Sequence, residues 1–221
     1  GTSKPSIDFH LSVTDPAGLA ESLGLDPGTM LAPISPLKGG IYRPLLTLRL
    51  YELEDDPCGD RAEWLTYVQS EGAAYAETWR VATYTSEACL DLQALVHPGY
   101  EVMHERVVER SYIAVEGPGV RVEASVDGND ATPVTPEQDW VEGGDRICNS
   151  ADFCDQSFYD GNTLSAPLDL ISPSAVDITR LVHPWEEYVD ATGIIVTMRG
   201  VSRQLLVKPG VDIAAPSPPG E

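Results

Sequence analysis

Residues 42–53, YRPLLTLRLYEL, alternate: Leu46, Leu48 and Leu50 fall on one face of an extended chain, and Thr47, Arg49 and Tyr51 on the other. Successive side chains of a strand point to opposite faces, so the pattern predicts a half-buried β-strand. EWLTYVQS at 63–70 and TWRVATYTS at 78–86, rich in β-branched and aromatic residues, predict two more. In 106–128 the turn Glu116-Gly117-Pro118-Gly119 separates Ile113 and Val115 from Val120 and Val122, the pattern of a hairpin. APLDLIS at 166–172, the stretch 176–198 and RQLLVKP at 203–209 complete the strand set. One short helix is expected over 17–25, with Asp15 as its cap and Pro16 at its first position. EACLDLQALVHPGY at 87–100 mixes periods and reads as a short helix or turn ending at His97-Pro98-Gly99.

Roughly nine or ten strands without βαβ alternation or internal repeat predict a mostly β protein, a single β-sandwich of jelly-roll type with a few short helices. Residues 1–40, rich in Pro and Gly, read as an extended N-terminal arm; 41–209 as the sandwich; 210–221 as a Pro-rich tail. The acidic stretch 127–163 reads as a long stapled loop.

In 176–196, Val176 and Ile178 share a strand face. Thr179 is expected to cap a single helical turn holding Leu181, Val182 and Trp185. Pro184 stops that turn, and Gly193 opens a buried strand, Ile194-Ile195-Val196. The reading is structural: Trp185 plugs the end of the core, with a ligand platform as the alternative use of that ring.

Charge changes the picture. With 35 acidic and 14 basic residues the net charge is −21, and the only lysines are Lys4, Lys38 and Lys208. Such a surface repels phosphate backbones, which argues against nucleic-acid binding. No apolar run reaches the ~20 residues of a membrane span. The opening GTSKPSIDFH, without an initiating Met or a signal peptide, reads as a processed or cloning-derived terminus.

Cys58, Cys89, Cys148 and Cys154 are even in number, lie in loop-like surroundings and form no C-x-x-C pair, which predicts two disulfides rather than a zinc site. Of the three possible pairings, loop closure favours Cys148–Cys154 with Cys58–Cys89. Disulfides place the chain outside the cytoplasm, extracellular or at a cell surface.

The stretch Asp177-Ile178-Thr179-Arg180-Leu181-Val182-His183-Pro184-Trp185 with Gly193-Ile194-Ile195-Val196 resembles the closing motif of DNRLRE-type secreted β-sandwich modules. It is also similar to a motif in transforming growth factor β propeptides. Leu46-Thr47-Leu48-Arg49-Leu50-Tyr51 and Arg203-Gln204-Leu205-Leu206-Val207 are similar to two further strands of those families, in the same order. The resemblance implies a secreted, non-catalytic module of cell-surface and polysaccharide-associated proteins.

Candidate sites are sparse. Asp127, Asn129 and Asp130 in SVDGNDA, and Asp152, Asp155 and Asp160 in ADFCDQSFYDGN, offer the oxygens a structural Ca2+ takes, although neither stretch fits an EF-hand loop. Plain turn chemistry is the alternative there. Trp140 and Tyr159, in polar loops, are the aromatic residues placed to stack on a sugar. No G-x-S-x-G or H-E-x-x-H is present, and His10, His97, His104 and His183 are scattered. The expectation is a non-enzymatic structural or adhesive subunit of a fibre, pilus or coat, self-associating or bound to other surface proteins. A carbohydrate-binding module is the alternative, with polysaccharide as partner, and a secreted hydrolase comes third.

Overall fold

The computed structural model describes residues 2–3, 6–37, 39–52, 60–72, 76–86, 96–134, 145–150, 153–157, 168–200 and 202–203. In chain order its strands are β1 (Thr2–Ser3), β2 (Ser6–Val13), β3 (Thr29–Leu31), β4 (Leu45–Glu52), β5 (Asp60–Ser70), β6 (Glu77–Thr85), β7 (Val96–Pro98), β8 (Glu101–Val107) and β9 (Arg110–Gly117). They continue with β10 (Val120–Asp127), β11 (Ala131–Val134), β12 (Asp145–Ser150), β13 (Phe153–Ser157), β14 (Leu168–Ile171), β15 (Val176–Val182), β16 (Val189–Arg199) and β17 (Ser202–Arg203). Among the described residues one α-helix, α1 (Pro16–Ser22), and three single 3-10 turns accompany them. The protein is mostly β with few short helices, as the alternation predicts. Among the described residues no helix is long and apolar enough to cross a membrane.

A large sheet has the order β11-β14-β16-β2-β4-β5-β6-β12-β13, with β3 added to β5 and β7 to β6. A four-stranded sheet, β15-β10-β9-β8, supplies the second layer, and β1 pairs with β17 apart from both. Pairing is antiparallel except where β12 and β7 run parallel to β6. The core lies between the layers: Phe9, Leu11, Leu46, Leu48, Leu50 and Trp64 of the large sheet meet Ile113, Val115, Val120, Val122 and Val126 of the small one. Each such buried side chain contributes about 1.5–3 kcal/mol relative to exposure.

Local signals act where the chemistry is short-range. The Asp15 carboxylate accepts the backbone N–H of Gly18 at 2.9 Å and Pro16 opens α1, the predicted cap. The hairpin β9–β10 closes in the register its turn predicts. Elsewhere tertiary pairing decides. Ser6–Val13, within the stretch expected as an arm, forms a central strand between β4 and β16. Thr179 does not cap a turn: it lies mid-strand in β15, and its hydroxyl donates to the Glu123 carbonyl at 3.3 Å. The turn comes later, at Glu186–Tyr188, with Trp185 at its start packed against the core. Part of the expected loop at 127–163 is strand, β11 to β13. Gly193, with φ +70°, sits where the β16–β2 register shifts.

Candidate functional site

The two faces of the large sheet differ in kind. On the core face, Ile7, Phe9 and Leu11 of β2 line up with Leu46, Leu48 and Leu50 of β4. The opposite face carries Asp8, His10, Thr47, Arg49, Arg61, Glu63, Thr83 and Thr197, and every one of them is buried. The expectation that Thr47, Arg49 and Tyr51 form the wet side of a half-buried strand is therefore corrected: Arg49 is 7% exposed, Tyr51 1% and Thr47 0%. Directly opposed residues of antiparallel strands share a face. The register accordingly makes one row across five strands: Thr197 beside Asp8, Asp8 beside Arg49, Arg49 beside Glu63, and Glu63 beside Thr83.

Charges in this row are paired by geometry. Arg49 Nε and Nη2 donate to the two carboxylate oxygens of Asp8, each at 3.0 Å. This fork is the arrangement for which a guanidinium is preorganised. Tyr51 donates its hydroxyl to Glu63 Oε1 at 2.6 Å. His10 is held from both sides, Nδ1 to Thr47 Oγ1 at 2.9 Å and Nε2 to Thr197 Oγ1 at 3.0 Å. Arg61, 1% exposed, stands in register between Tyr51 and Thr85. The Thr83 hydroxyl is buried and has no hydrogen-bond partner among the described residues. On the same face, Ala32, Ile34, Leu45, Leu65 and Tyr67 form a separate apolar cluster that bounds the row at the Thr47 end. A desolvated patch of two guanidiniums, two carboxyls, an imidazole and hydroxyls can hold a small anion and move a proton.

Behind the row, on the core side, His183 lies against Trp64 with ring centroids 4.6 Å apart, and Trp185 meets Trp64 edge-on at 5.8 Å. Burial pushes the His183 pKa down to about 4, opposed by the nearby Glu186 carboxylate. The Trp185 backbone N–H donates to Nδ1 at 3.2 Å, so the neutral ring carries its proton on Nε2. This group serves the core.

The residues singled out in the sequence lie elsewhere. Asp127 caps its own turn, accepting from Asn129 N at 3.1 Å and Asn129 Nδ2 at 2.9 Å, and pairs with Arg110 at 3.0 Å. These hydrogen bonds, led by the Asn129 backbone N–H, hold its carboxyl below the usual range. Asp130 ends the same 3-10 turn. Among the described residues no three His, Cys, Asp or Glu side chains converge as metal ligands. Asp155 opposes Ile147 in β13. Asp152, Asp160, Trp140, Tyr159, Cys58 and Cys89 lie outside the described residues. Cys148 and Cys154 are register partners across β12 and β13. Asp177 and Thr179 run along β15, at the edge of the small sheet.

No protein-family model matches the sequence, and no curated protein matches it. Solved structures do. The enduracididine biosynthesis enzyme MppR, complexed with pyruvate, superposes with a TM-score of 0.57 at 14% identity, over 92% of this chain and 88% of that one. Acetoacetate decarboxylase from Legionella pneumophila gives 0.57 at 9% identity, over 93% and 88%. A further acetoacetate decarboxylase structure gives 0.51 at 9% identity, over 93% and 88%. The fold is acetoacetate decarboxylase-like.

That finding corrects three expectations. The resemblance to DNRLRE modules and growth-factor propeptides does not hold: its residues are mostly strand-core positions such as Leu46, Leu48 and Ile178, which many β folds share. The non-catalytic structural or adhesive subunit of a fibre, pilus or coat falls with it, as does the carbohydrate-binding alternative. The expectation of no enzyme is likewise overturned, since the solved structures that share this fold are enzymes.

The site was missed for a physical reason. Ser6–Val13, SIDFHLSV, alternates apolar and polar residues as a surface strand does, and no motif surrounds Asp8 or His10. The available signal was complementarity across strands: an acid and an imidazole in one, a cation in the next, a cation and an acid in the third.

Proposed function

We propose that this chain is an enzyme that transfers a proton at the carbon beside the carbonyl of a small oxo acid. The buried polar row carries the reading: a dry patch of mixed charge on the central sheet of a fold shared with acetoacetate decarboxylase and with an enzyme that binds pyruvate. In this reading the jelly-roll sandwich expected from the sequence gives way to the sheet arrangement of the decarboxylase-like fold.

Arg61 has five N–H donors in a plane, the geometry that takes a carboxylate. Glu63, beside it in β5, is the proposed base. The Tyr51 hydroxyl, 2.6 Å from Glu63 Oε1, steadies that carboxylate and stands ready to return a proton. The Thr83 hydroxyl supplies a donor for the carbonyl oxygen. Acetoacetate decarboxylase itself works through an activated lysine that forms a Schiff base. Among the described residues there is no lysine, since Lys4, Lys38 and Lys208 all lie outside them, and the proposed proton transfer requires none.

Hydrogen–deuterium exchange tests the reading. The chain is expected to speed exchange of the methyl protons of pyruvate, or the methylene protons of acetoacetate, in D2O, followed by NMR. Uncatalysed rates across both acids and 2-oxobutyrate would refute it.

A further inference from the structure

We propose that Asp8 is a specificity-determining residue: on the Arg49 guanidinium its carboxylate holds the place that a second substrate carboxylate would take. The site then accepts oxo acids with one carboxylate and rejects those with two. The inference rests on the oxo-acid reading and adds to it the residue that selects the substrate's charge.

Register puts Arg49 beside the reacting position. Arg49 of β4 directly opposes Glu63, the proposed base in β5, and Tyr51 opposes Arg61. Arg49 and Arg61 are therefore diagonal neighbours on one face, with Cα atoms about 7–8 Å apart. For a substrate whose first carboxylate lies on Arg61 and whose reacting carbon lies at Glu63, Arg49 is the second guanidinium of the row.

Asp8 already satisfies it. Arg49 Nε and Nη2 each donate to an Asp8 carboxylate oxygen at 3.0 Å, and the two side chains are 8% and 2% exposed. This fork uses the guanidinium edge on which a carboxylate binds through both oxygens. It also cancels the charge. Thr197, the register partner of Asp8 on its other side, is neutral, so the Asp8 charge is balanced within the row by Arg49. A second substrate carboxylate here would gather with Asp8 and Glu63 around one guanidinium. Away from water such like charges repel strongly. An uncharged end of the substrate meets no such penalty.

Proton exchange in D2O, followed by NMR, tests this with 2-oxopentanoate and 2-oxoglutarate. The two acids share a five-carbon chain and differ in a terminal methyl against a terminal carboxylate. The parent protein is expected to favour 2-oxopentanoate by at least about tenfold in kcat/KM. Asp8→Ala opens the Nε–Nη2 edge of Arg49. It is expected to raise the ratio of 2-oxoglutarate to 2-oxopentanoate by at least about tenfold, chiefly through a lower KM for the diacid. Asp8→Asn, which keeps the volume and removes the charge, is expected to move the ratio the same way and stands in if the alanine variant does not fold. Equal kcat/KM for the two acids in the parent protein would overturn the role of Asp8 and leave the proton-transfer site standing. A folded variant that keeps the parent ratio would do the same. Exchange of pyruvate with neither five-carbon acid would also overturn it, because size and not charge would then decide. Exchange of none of the three would overturn the oxo-acid reading and this inference together.

Discussion

Replacing Arg49 by Met separates the buried ion pair from every other feature of the polar row. The Arg49 and Asp8 side chains are 8% and 2% exposed, and their fork makes two 3.0 Å contacts. Met keeps the length and apolar volume of the stem and removes the charge, which leaves the Asp8 carboxylate buried opposite a thioether. Breaking a buried pair by removing one partner costs about 3–5 kcal/mol, because the remaining charge has lost its solvation and its counterion. For a chain of this size each kcal/mol shifts the melting midpoint by about 2–4 °C, so Arg49→Met is expected to melt roughly 6–20 °C lower. The double variant Asp8→Leu/Arg49→Met leaves no uncompensated charge at these two positions and is expected to recover most of that loss. Equilibrium denaturation with a melting curve reads both. A single-variant cost below about 1 kcal/mol, the range of solvent-screened pairs, would refute the claim that this face of the sheet is dry.

Two further outcomes follow from the same structure. His183 is held neutral by burial, with a folded pKa of about 4 against an ordinary 6.5. Its contribution is therefore complete above pH 6.5 and is lost as pH falls toward 4, where the unfolded chain binds the extra proton. About 3 kcal/mol of stability is expected to disappear across that window. His183→Gln is expected to flatten the dependence, and parallel curves for the two proteins would contradict the assignment. Gly18→Ala is expected to destabilise by about 1 kcal/mol although Ala is the better helix former. The added methyl would press on the Asp15 carboxylate that caps α1 and lie 2.8 Å from the Tyr188 ring. An unchanged melting temperature would count against that crowding.

The sequence carried the local features well and the site poorly, and the division is physical. Asp15 and Pro16 act within one helical turn, and the turn at Gly117–Gly119 acts within one hairpin, so both are written in adjacent residues. Alternation in Leu45–Glu52 reports that the two faces differ, but not what lies over each. A polar face reads as solvent-facing by default, and here it is interior. What makes burial of Arg49 tolerable is Asp8, 41 residues away, and only strand pairing brings the two together. The closing-motif resemblance failed for the converse reason. Apolar spacing around Ile178 and Leu181 reports a strand packed on a core, a requirement that unrelated β folds meet in the same way. Asp127 and Asn129 show the same limit: clustered oxygens were visible, but not that they satisfy their own turn.

The central claim is that the buried row performs proton transfer on an oxo acid, and Glu63→Gln tests it most directly. The substitution keeps the shape of the side chain and an oxygen to accept the Tyr51 hydroxyl, while removing the base. Exchange of pyruvate or acetoacetate protons in D2O is expected to fall by about 10²–10⁴-fold, with the melting curve showing a folded protein. Exchange that continues at the parent rate in a folded Glu63→Gln protein would contradict the account.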